Sequence, residues 1–257
     1  MTKTYTTRSG RTQALSPINV SFRPDEFTAI LGTSGCGKST LLHIVAGLEQ
    51  PSTGHIEVNG TAVSGPGRDR GMVFQNYTLF PWLTVQQNVE FALRDLPMSR
   101  RKRHDQAREY LGLVGMEAFA AAHPSELSGG MRQRVAIARA LSYQPRVLLM
   151  DEPFGALDAQ TRQGMQMLLT RVWEEHRMSV LFVTHDIEEA VCLSDRVIVM
   201  SRRPGAIKAD LAIDIPRPRG IDTLTSAELN GYKAELLQLI REEADDAQTA
   251  ASAKRAG

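Results

Sequence analysis

One segment of the sequence has the residue types and the spacing of a phosphate-binding loop. Residues 32–40 read Gly-Thr-Ser-Gly-Cys-Gly-Lys-Ser-Thr and fit the pattern G-x-x-x-x-G-K-[ST]. Glycines let backbone N–H groups surround the β- and γ-phosphates of a nucleotide, Lys38 adds a cation, and Ser39 can bind Mg²⁺. A glycine turn that only caps a core helix would leave the Lys-Ser pair unexplained. The expected nucleotide contacts are Gly32, Ser34, Gly35, Cys36, Gly37, Lys38, Ser39 and Thr40.

Two adjacent carboxylates follow a run of apolar residues that is typical of a buried strand. The run covers residues 147–150, and Asp151 and Glu152 come directly after it. Because successive strand side chains point to opposite sides, the two acids can have different roles. We expect Asp151 to hold Mg²⁺ and Glu152 to polarise the water that attacks the γ-phosphate. Taken alone, the pair could equally cap the turn at Pro153, but the phosphate-binding loop in the same chain favours catalysis.

A histidine follows a further apolar run, residues 180–183. His185 could contact the γ-phosphate and orient the attacking water. A single histidine in a loop is more often simply solvated. Ligands of open α/β sheets bind beyond the carboxyl ends of the strands, and this position therefore favours the functional role.

The elements that must position these residues alternate between short apolar runs and longer segments of helical period. This alternation predicts an α/β fold with a mostly parallel sheet flanked by helices. Residues 84–143 contain helical patterns, including residues 85–94 after a possible N-cap at Thr84, and no good strand. We interpret them as a helical lobe inserted into the core. The predicted strands are residues 27–31, 72–74, 147–150, 180–183 and 197–200, with an edge strand over 206–215.

The predicted organisation is a single domain over residues 1–246, with a P-loop NTPase core and antiparallel strands at its N-terminus. The core covers about residues 1–83 and 146–216, the helical subdomain about 84–145, and a C-terminal helix about 226–244. Residues 247–257 are rich in alanine and polar side chains and are predicted to be a flexible tail.

Composition excludes several classes of protein. The 30 basic and 29 acidic residues give a net charge of +1, which provides no general attraction for nucleic acid or a membrane surface. The basic run at residues 100–104 lacks interleaved aromatics, and it is better explained as the solvated start of a helix than as a nucleic-acid site. Cys36 and Cys192 have no pairing pattern, which suits a reducing compartment. No apolar stretch approaches the ~20 residues that span a bilayer, so the chain cannot itself form a transport path.

A second helix start could also bind an anion. Ser128, Gly129 and Gly130 follow Leu127 and precede a helix that runs to about residue 143. One nucleotide does not need two such sites from one chain. These residues therefore make most sense if they close over the γ-phosphate held by another subunit, although a simple Gly-Gly turn is the alternative.

The order of the phosphate-binding loop, Gln75, the Leu-Ser-Gly-Gly segment, the acidic pair, Asp158 and His185 resembles the ATPase subunits of ABC transporters. The resemblance covers residues 15–218. It implies that Gln75 contacts Mg²⁺ and the attacking water and faces a membrane partner, and that Asp158 lies in a loop linking the two sites of a dimer. It also implies an aromatic residue that stacks on adenine. Tyr5 is the candidate, although residues 6–13 resemble an insertion that shifts the register, and an exposed tyrosine is the alternative.

Whole segments resemble the importer ATPases for nitrate, sulfonate, taurine and related solutes, namely residues 65–75, 79–85 and 151–158. This resemblance implies ATP with Mg²⁺, a head-to-tail dimer of two copies, integral membrane permease subunits and, indirectly, a solute-binding protein. It implies a position in the cytoplasm on the inner face of a bacterial cell membrane. Trp82 and Leu83 would offer an apolar contact to a coupling helix, unless their loop packs internally.

Two other classes of function remain to be compared. A soluble ABC ATPase of assembly, repair or translation usually joins two ATPase units or carries long insertions, and neither occurs in residues 1–257. A nucleotide-binding switch would not need Glu152 and His185, which equip the site to hydrolyse ATP.

Overall fold

The computed structural model describes residues 1–7, 10–219 and 221–255, which form two compact units, Met1–Pro66 with Leu181–Gly257 and Gly67–Val180. The strands are Lys3–Thr7 (β1), Gly10–Leu15 (β2), Phe27–Leu31 (β3), Glu57–Val58 (β4), Thr61–Ala62 (β5), Arg70–Val73 (β6), Val147–Asp151 (β7), Ser179–Thr184 (β8), Arg196–Met200 (β9) and Ile207–Ala212 (β10). The α-helices are Lys38–Ala46 (α1), Val85–Ala92 (α2), Arg100–Leu113 (α3), Gly129–Leu141 (α4), Ala159–His176 (α5), Ile187–Leu193 (α6), Ile221–Leu224 (α7) and Ala227–Arg255 (α8). Two short 3₁₀ helices, Glu117–Phe119 and Pro124–Glu126, lie between α3 and α4 in the sequence.

The first unit contains the strands that lead into the phosphate-binding loop. β3 pairs in parallel with β9, and β10 pairs antiparallel with the other side of β9. Every residue of β3 is buried, since a strand covered on both faces is apolar along almost its whole length. Phe27 at the start of β3 packs against Phe182, with ring centroids 5.9 Å apart. β1 and β2 form an antiparallel hairpin, as predicted for the N-terminus.

The second unit combines two parallel strands with the helical segment. β6 pairs with β7 from Arg70↔Val147 to Val73↔Met150. Between these strands the structure has α2, α3, α4 and the two 3₁₀ helices and, over residues 85–143, no strand. Thr84 begins α2 with a capping box, in which its hydroxyl accepts from Gln87 N–H and the Gln87 side chain accepts from Thr84 N–H. The prediction of a helical segment with an N-cap at Thr84 is therefore confirmed, and α2 ends two residues before the predicted end.

The predicted strands are all present, most of them longer by one or two residues at an end. The α/β fold with mostly parallel strands and antiparallel N-terminal strands is confirmed. Asp25, in the turn before β3, has a φ of 57°, a conformation that glycine adopts without steric strain.

The C-terminal part adds an edge strand and a long helix to the first unit. β10 stands at the end of the strand order, as predicted for residues 206–215. α8 continues to Arg255, beyond the predicted end near residue 244, while residues 256 and 257 of the predicted tail lie outside the described residues. The division into core, helical subdomain, C-terminal helix and tail stays a prediction. Within the described ranges, no helix combines the length and apolar composition of a membrane span.

Candidate functional site

The phosphate-binding loop connects β3 to α1 in the first unit, and its glycines have specific structural reasons. Gly35 and Gly37 have φ values of 78° and 107°, which disfavour any residue with a side chain. A Cβ at Gly37 would also lie 2.6 Å from Leu15 Cδ2 and 3.1 Å from Ala14 O. The loop is therefore folded tightly against the end of β2.

Lys38, the first residue of α1, folds back over this loop. Its side chain is only 4% exposed, and Nζ donates hydrogen bonds to Gly32 O at 2.8 Å and Thr33 O at 3.1 Å. Both of these acceptors are neutral carbonyl groups, and the positive charge of Lys38 lies inside the loop. The N-terminus of α1 adds its partial positive charge at the same place. This arrangement has the electrostatics of an anion site.

Cys36 is a buried member of the loop, and the residue is only 1% exposed. Burial raises its pKa, although the positive charge of Lys38 opposes this change. The side chain is consequently a neutral thiol at pH 7, which preserves the positive potential of the loop. A Cβ at Gly32 would lie 2.9 Å from Cys36 Sγ, so the thiol fills space that the glycine leaves.

His185 follows β8, and the backbone on both sides of it is fixed. Thr184 Oγ donates to the buried Glu189 carboxylate at 2.7 Å and accepts from Asp186 N–H at 3.0 Å. Asp186 in turn caps α6 by accepting from the N–H groups of Glu188 and Glu189. The imidazole itself is exposed. His185 therefore stands exposed on a strand-to-helix connection that Thr184 and Glu189 hold in place, and the sequence pattern did not reveal these two residues.

The acidic pair lies in the second unit at the end of β7. Asp151 is the last residue of the strand and is 8% exposed, whereas Glu152 is half-buried. Glu152 has a φ of 42°, an uncommon value for a residue with a side chain. Such backbone strain persists where the surrounding structure enforces it, and it is concentrated at functional sites. The chain turns sharply here, and Gly155 N–H donates to Glu152 O at 3.2 Å.

Gln75 lies close to the same turn. The point that a Cβ of Gly155 would occupy is 4.0 Å from both Gln75 Nε2 and Glu152 Oε2. The amide and the carboxylate therefore approach the same exposed stretch of backbone. Within the second unit, the structure brings together two of the three residues that were predicted to be catalytic.

Helix α4 holds the segment that follows Gln75. The Arg139 guanidinium donates to Thr78 O at 2.7 Å and to Thr78 Oγ at 2.9 Å, and Arg132 lies over the Tyr77 ring at 5.4 Å. Burial lowers the pKa of Arg139, with Tyr143 opposing the change. Sequence reasoning missed these contacts. The seven-residue spacing of Arg132 and Arg139 places them on one helix face, which is the only sequence signal for them.

Ser128 forms the N-cap of α4, where its hydroxyl accepts from Met131 N–H at 3.3 Å. Ser128 is exposed, Gly129 is half-buried and Gly130 is buried. A Cβ at Gly130 would lie 2.4 Å from Thr161 Cγ2 of α5, so this glycine permits a close helix contact. A helix was predicted to begin in this segment, and α4 begins at Gly129 as expected. Its N-cap residue, Ser128, is exposed to solvent.

Asp158 caps α5 next to this helix start. Its carboxylate accepts from Thr161 N–H at 2.9 Å, and the hydrogen bonds from Thr161 lower its pKa. Because Thr161 also contacts the Gly130 position, Asp158 and the start of α4 share one neighbour. The exposed residues Ser128 and Asp158 therefore begin two neighbouring helices of the second unit, and Gly130 is buried in the contact between these helices.

Tyr5 lies in β1, opposite Thr12 of β2, with Lys3 Nζ 4.8 Å from the centre of its ring. It is half-buried. The ring belongs to the first unit, like the phosphate-binding loop. Its role in stacking on adenine stays a prediction.

The loop that contains Trp82 has an exposed aromatic surface. Trp82 is 71% exposed, and Phe80 contacts it with ring centroids 5.5 Å apart and Phe91 at 4.6 Å. Asn88, which is fully buried, fixes the loop by accepting from Phe80 N–H and donating to the carbonyls of Phe80 and Leu83. Internal packing therefore does not account for Trp82, although Leu83 is half-buried.

Comparisons with known proteins agree with this arrangement of motifs. A protein-family model described as ABC transporter matches residues 15–155. A nitrate import ATP-binding protein of Synechocystis is 48% identical over 247 residues, which cover 94% of this chain and 93% of the relative. A bicarbonate transport ATP-binding protein of Synechococcus elongatus is 45% identical over 90% of this chain and 35% of its own length.

A solved structure shows the same fold. A dimeric ATP-binding cassette in a post-hydrolysis state, bound to ADP and Pi, has a TM-score of 0.75 and 35% sequence identity. The match covers 84% of this chain and 97% of that one. The chain belongs to the ABC transporter family, as an ATP-binding subunit. The expected resemblance, the nucleotide-binding fold and ATPase activity are thereby confirmed.

Proposed function

We propose that this chain is the ATPase subunit of a bacterial importer for a small anionic solute of the nitrate, sulfonate or taurine kind. The observation that carries the proposal is the near full-length similarity to a nitrate import ATP-binding protein, joined by the bicarbonate transport relative. The resembling segments at residues 65–75, 79–85 and 151–158 support the same group. The soluble alternative is less well supported, because these relatives are named for import and transport.

ATP binding begins at Lys38 and the loop glycines. The ammonium group already lies in the loop, and it exchanges the carbonyls of Gly32 and Thr33 for phosphate oxygens when the nucleotide arrives. Cys36, Ser34, Gly35, Gly37 and Thr40 supply N–H groups and small side chains around the phosphates. Tyr5 stacks on the adenine ring in this proposal.

The oxygen-donor chemistry of three residues fits Mg²⁺. Ser39 offers a hydroxyl, Gln75 an amide oxygen and Asp151 a buried carboxylate, and Mg²⁺ prefers such hard ligands. When bound, the metal ion would neutralise charge on the β- and γ-phosphate oxygens.

Hydrolysis needs a base and a group that orients water. Glu152 is the base in this proposal, and its carboxylate and the Gln75 amide both lie 4.0 Å from the point that a Cβ of Gly155 would occupy. His185 orients the water and contacts the γ-phosphate from its rigid connection. Ser128, Gly129, Gly130 and Asp158 of a second copy complete the site in this proposal, because the start of α4 with its exposed N-cap Ser128 can bind an anion.

The membrane partner is inferred from the relatives and from the aromatic surface. A head-to-tail dimer of this chain would bind two integral membrane permease subunits on the cytoplasmic face of the membrane, with a solute-binding protein delivering the solute. Trp82 and its aromatic neighbours suit an apolar side chain of a permease segment, because a large exposed aromatic residue is a frequent interface anchor.

We expect the chain to co-purify with permease subunits from membranes of its source cells. In proteoliposomes, the complex should hydrolyse ATP faster when the solute-binding protein carries nitrate or a related anion than when it is empty. A complex that contains Glu152→Gln provides the background rate. Recovery of ribosomes or DNA in place of permease subunits would contradict the importer and favour the soluble alternative.

A further inference from the structure

A direct chain of contacts runs from the C-terminal helix to the phosphate-binding loop. Its first part is the turn between β9 and β10, residues 201–206, which we call the support turn. Ser201 N–H donates to Ala206 O at 2.9 Å, and Ala206 N–H donates to Ser201 Oγ at 3.0 Å. These two bonds close the support turn into one small unit, so a displacement at one end is transmitted to the other.

The support turn touches the phosphate-binding loop at Gly205. A Cβ on Gly205 would lie 2.0 Å from Cys36 O and 3.2 Å from Cys36 C, so the carbonyl oxygen faces the turn. Gly205 is itself fixed, because its N–H donates to Ala14 O and its carbonyl accepts from Ser16 N–H, each at 2.9 Å. The backbone of Gly205 therefore packs directly against the backbone of Cys36.

The contact between Gly205 and Cys36 determines the direction of one N–H group of the loop, that of Gly37. In a trans peptide the C=O and N–H groups point in opposite directions. Because Cys36 O faces Gly205, the N–H of Gly37 points away from the support turn. In our proposal, this N–H group is one of those that receive a phosphate. A shift of the support turn would therefore change the direction of the Gly37 N–H group.

Helix α8 holds the other end of the support turn through Glu243. One carboxylate oxygen accepts from Arg202 N–H at 2.8 Å, and the other contacts Lys208 Nζ of β10 at 3.0 Å. Burial alone would raise the pKa of Glu243, but the hydrogen bonds from Arg202 and Lys208 outweigh it and lower the pKa. The carboxylate is therefore ionised at pH 7 and bridges the turn and the strand.

The neighbouring Glu242 makes only one of these contacts. It lies 3.2 Å from Lys208 Nζ and is 47% exposed, compared with 14% for Glu243. Both acids thus help α8 to dock on β10 through Lys208. Of the two, Glu243 accepts a hydrogen bond from the backbone of the support turn. Glu242 shares only the contact to Lys208 and is therefore a matched control for a substitution of Glu243.

We propose that Glu243 is a positioning residue for nucleotide binding, which holds the support turn under Cys36 and so orients the N–H groups that receive the phosphates. It acts through Arg202 and Gly205 and does not touch the nucleotide. The proposal rests on ATP binding at residues 32–40, and titration of the parent protein with ATP tests that separately.

We expect Glu243→Ala in the full chain to raise the KM for ATP about threefold to tenfold, with kcat within about twofold of the parent. Glu242→Ala should leave both parameters unchanged. Glu243→Gln should restore most of the affinity, because its amide oxygen can still accept from Arg202 N–H. Thermal unfolding of the two alanine variants, which both lose a contact to Lys208, measures the purely structural effect.

Parent-like KM in Glu243→Ala, an equal rise in KM in Glu242→Ala, or a fall in kcat alone would overturn the proposal. If Glu243→Ala does not fold, Glu243→Asp keeps the charge and withdraws the carboxylate by one methylene group. It should then raise KM in the same direction, and an unchanged KM would again contradict the role of Glu243.

Discussion

Replacing Glu152 with glutamine is expected to abolish steady-state ATP hydrolysis while ATP still binds. The amide retains the size of the side chain but cannot accept the proton of the attacking water, and loss of one catalytic base lowers a rate by about 10²–10⁴-fold. The backbone at Glu152, with its φ of 42°, is unaffected by a change from carboxylate to amide. The variant should accumulate as an ATP-bound dimer, which size-exclusion chromatography with ATP would detect.

Phosphate release by the purified protein, or by its complex with the permease, measures this effect. Glu175→Gln is the control, because Glu175 is an exposed acid of α5 and the same charge is removed there. Unaltered turnover in Glu152→Gln would show that Glu152 is not the base.

Replacing Lys38 with alanine is expected to prevent ATP binding, the step that precedes hydrolysis. The substitution removes a buried cation from the phosphate site, and Nζ no longer links the carbonyls of Gly32 and Thr33. A charge-assisted contact to a phosphate is among the strongest in a protein, so we expect the Kd for ATP to rise by about a hundredfold or more. Titration with a fluorescent ATP analogue would measure the change.

Lys233→Ala is the matched control for this experiment. Lys233 also belongs to the first unit, but it pairs with Glu188 on the surface. Its replacement should leave the Kd for ATP unchanged. If Lys38→Ala binds ATP as tightly as the parent, residues 32–40 are not the phosphate-binding loop.

The elements of the fold could be predicted where the signal is local. The strand at residues 27–31 is a short apolar run with β-branched residues, and the N-cap at Thr84 is a polar residue before a helical pattern. Both signals depend only on neighbours within a few positions, and both elements occur as predicted. The loop glycines were predictable for the same reason, because their pattern encodes one backbone conformation.

Contacts between distant parts of the chain could not be predicted. Asn88 appears in the sequence as an ordinary polar helix residue, yet it is fully buried and fixes the Trp82 loop. Likewise, nothing local to Gly205 indicates that it lies against Cys36, nearly 170 positions earlier. Such contacts depend on how sheet, helices and turns meet, which a single sequence does not specify.

The dimer makes the most specific prediction of the account, since Ser128 of one copy should complete the site that contains Lys38 of the other. Lys38→Ala disables one half of a site, and Ser128→Asp disables the other half by placing a carboxylate near the γ-phosphate. Ser128→Asp is preferable to a change at Gly130, where a side chain would press on Thr161. Aspartate also keeps the N-cap of α4.

The most direct test compares two heterodimers that carry the same two substitutions, purified with different tags and assayed with the permease. The first has Lys38→Ala on one subunit and Ser128→Asp on the other, and the second has both on one subunit beside a parent subunit. If sites form between subunits, the first heterodimer keeps one intact site and the second keeps none. We predict ATP hydrolysis by the first heterodimer and only the background rate for the second. Hydrolysis in the second alone would contradict it.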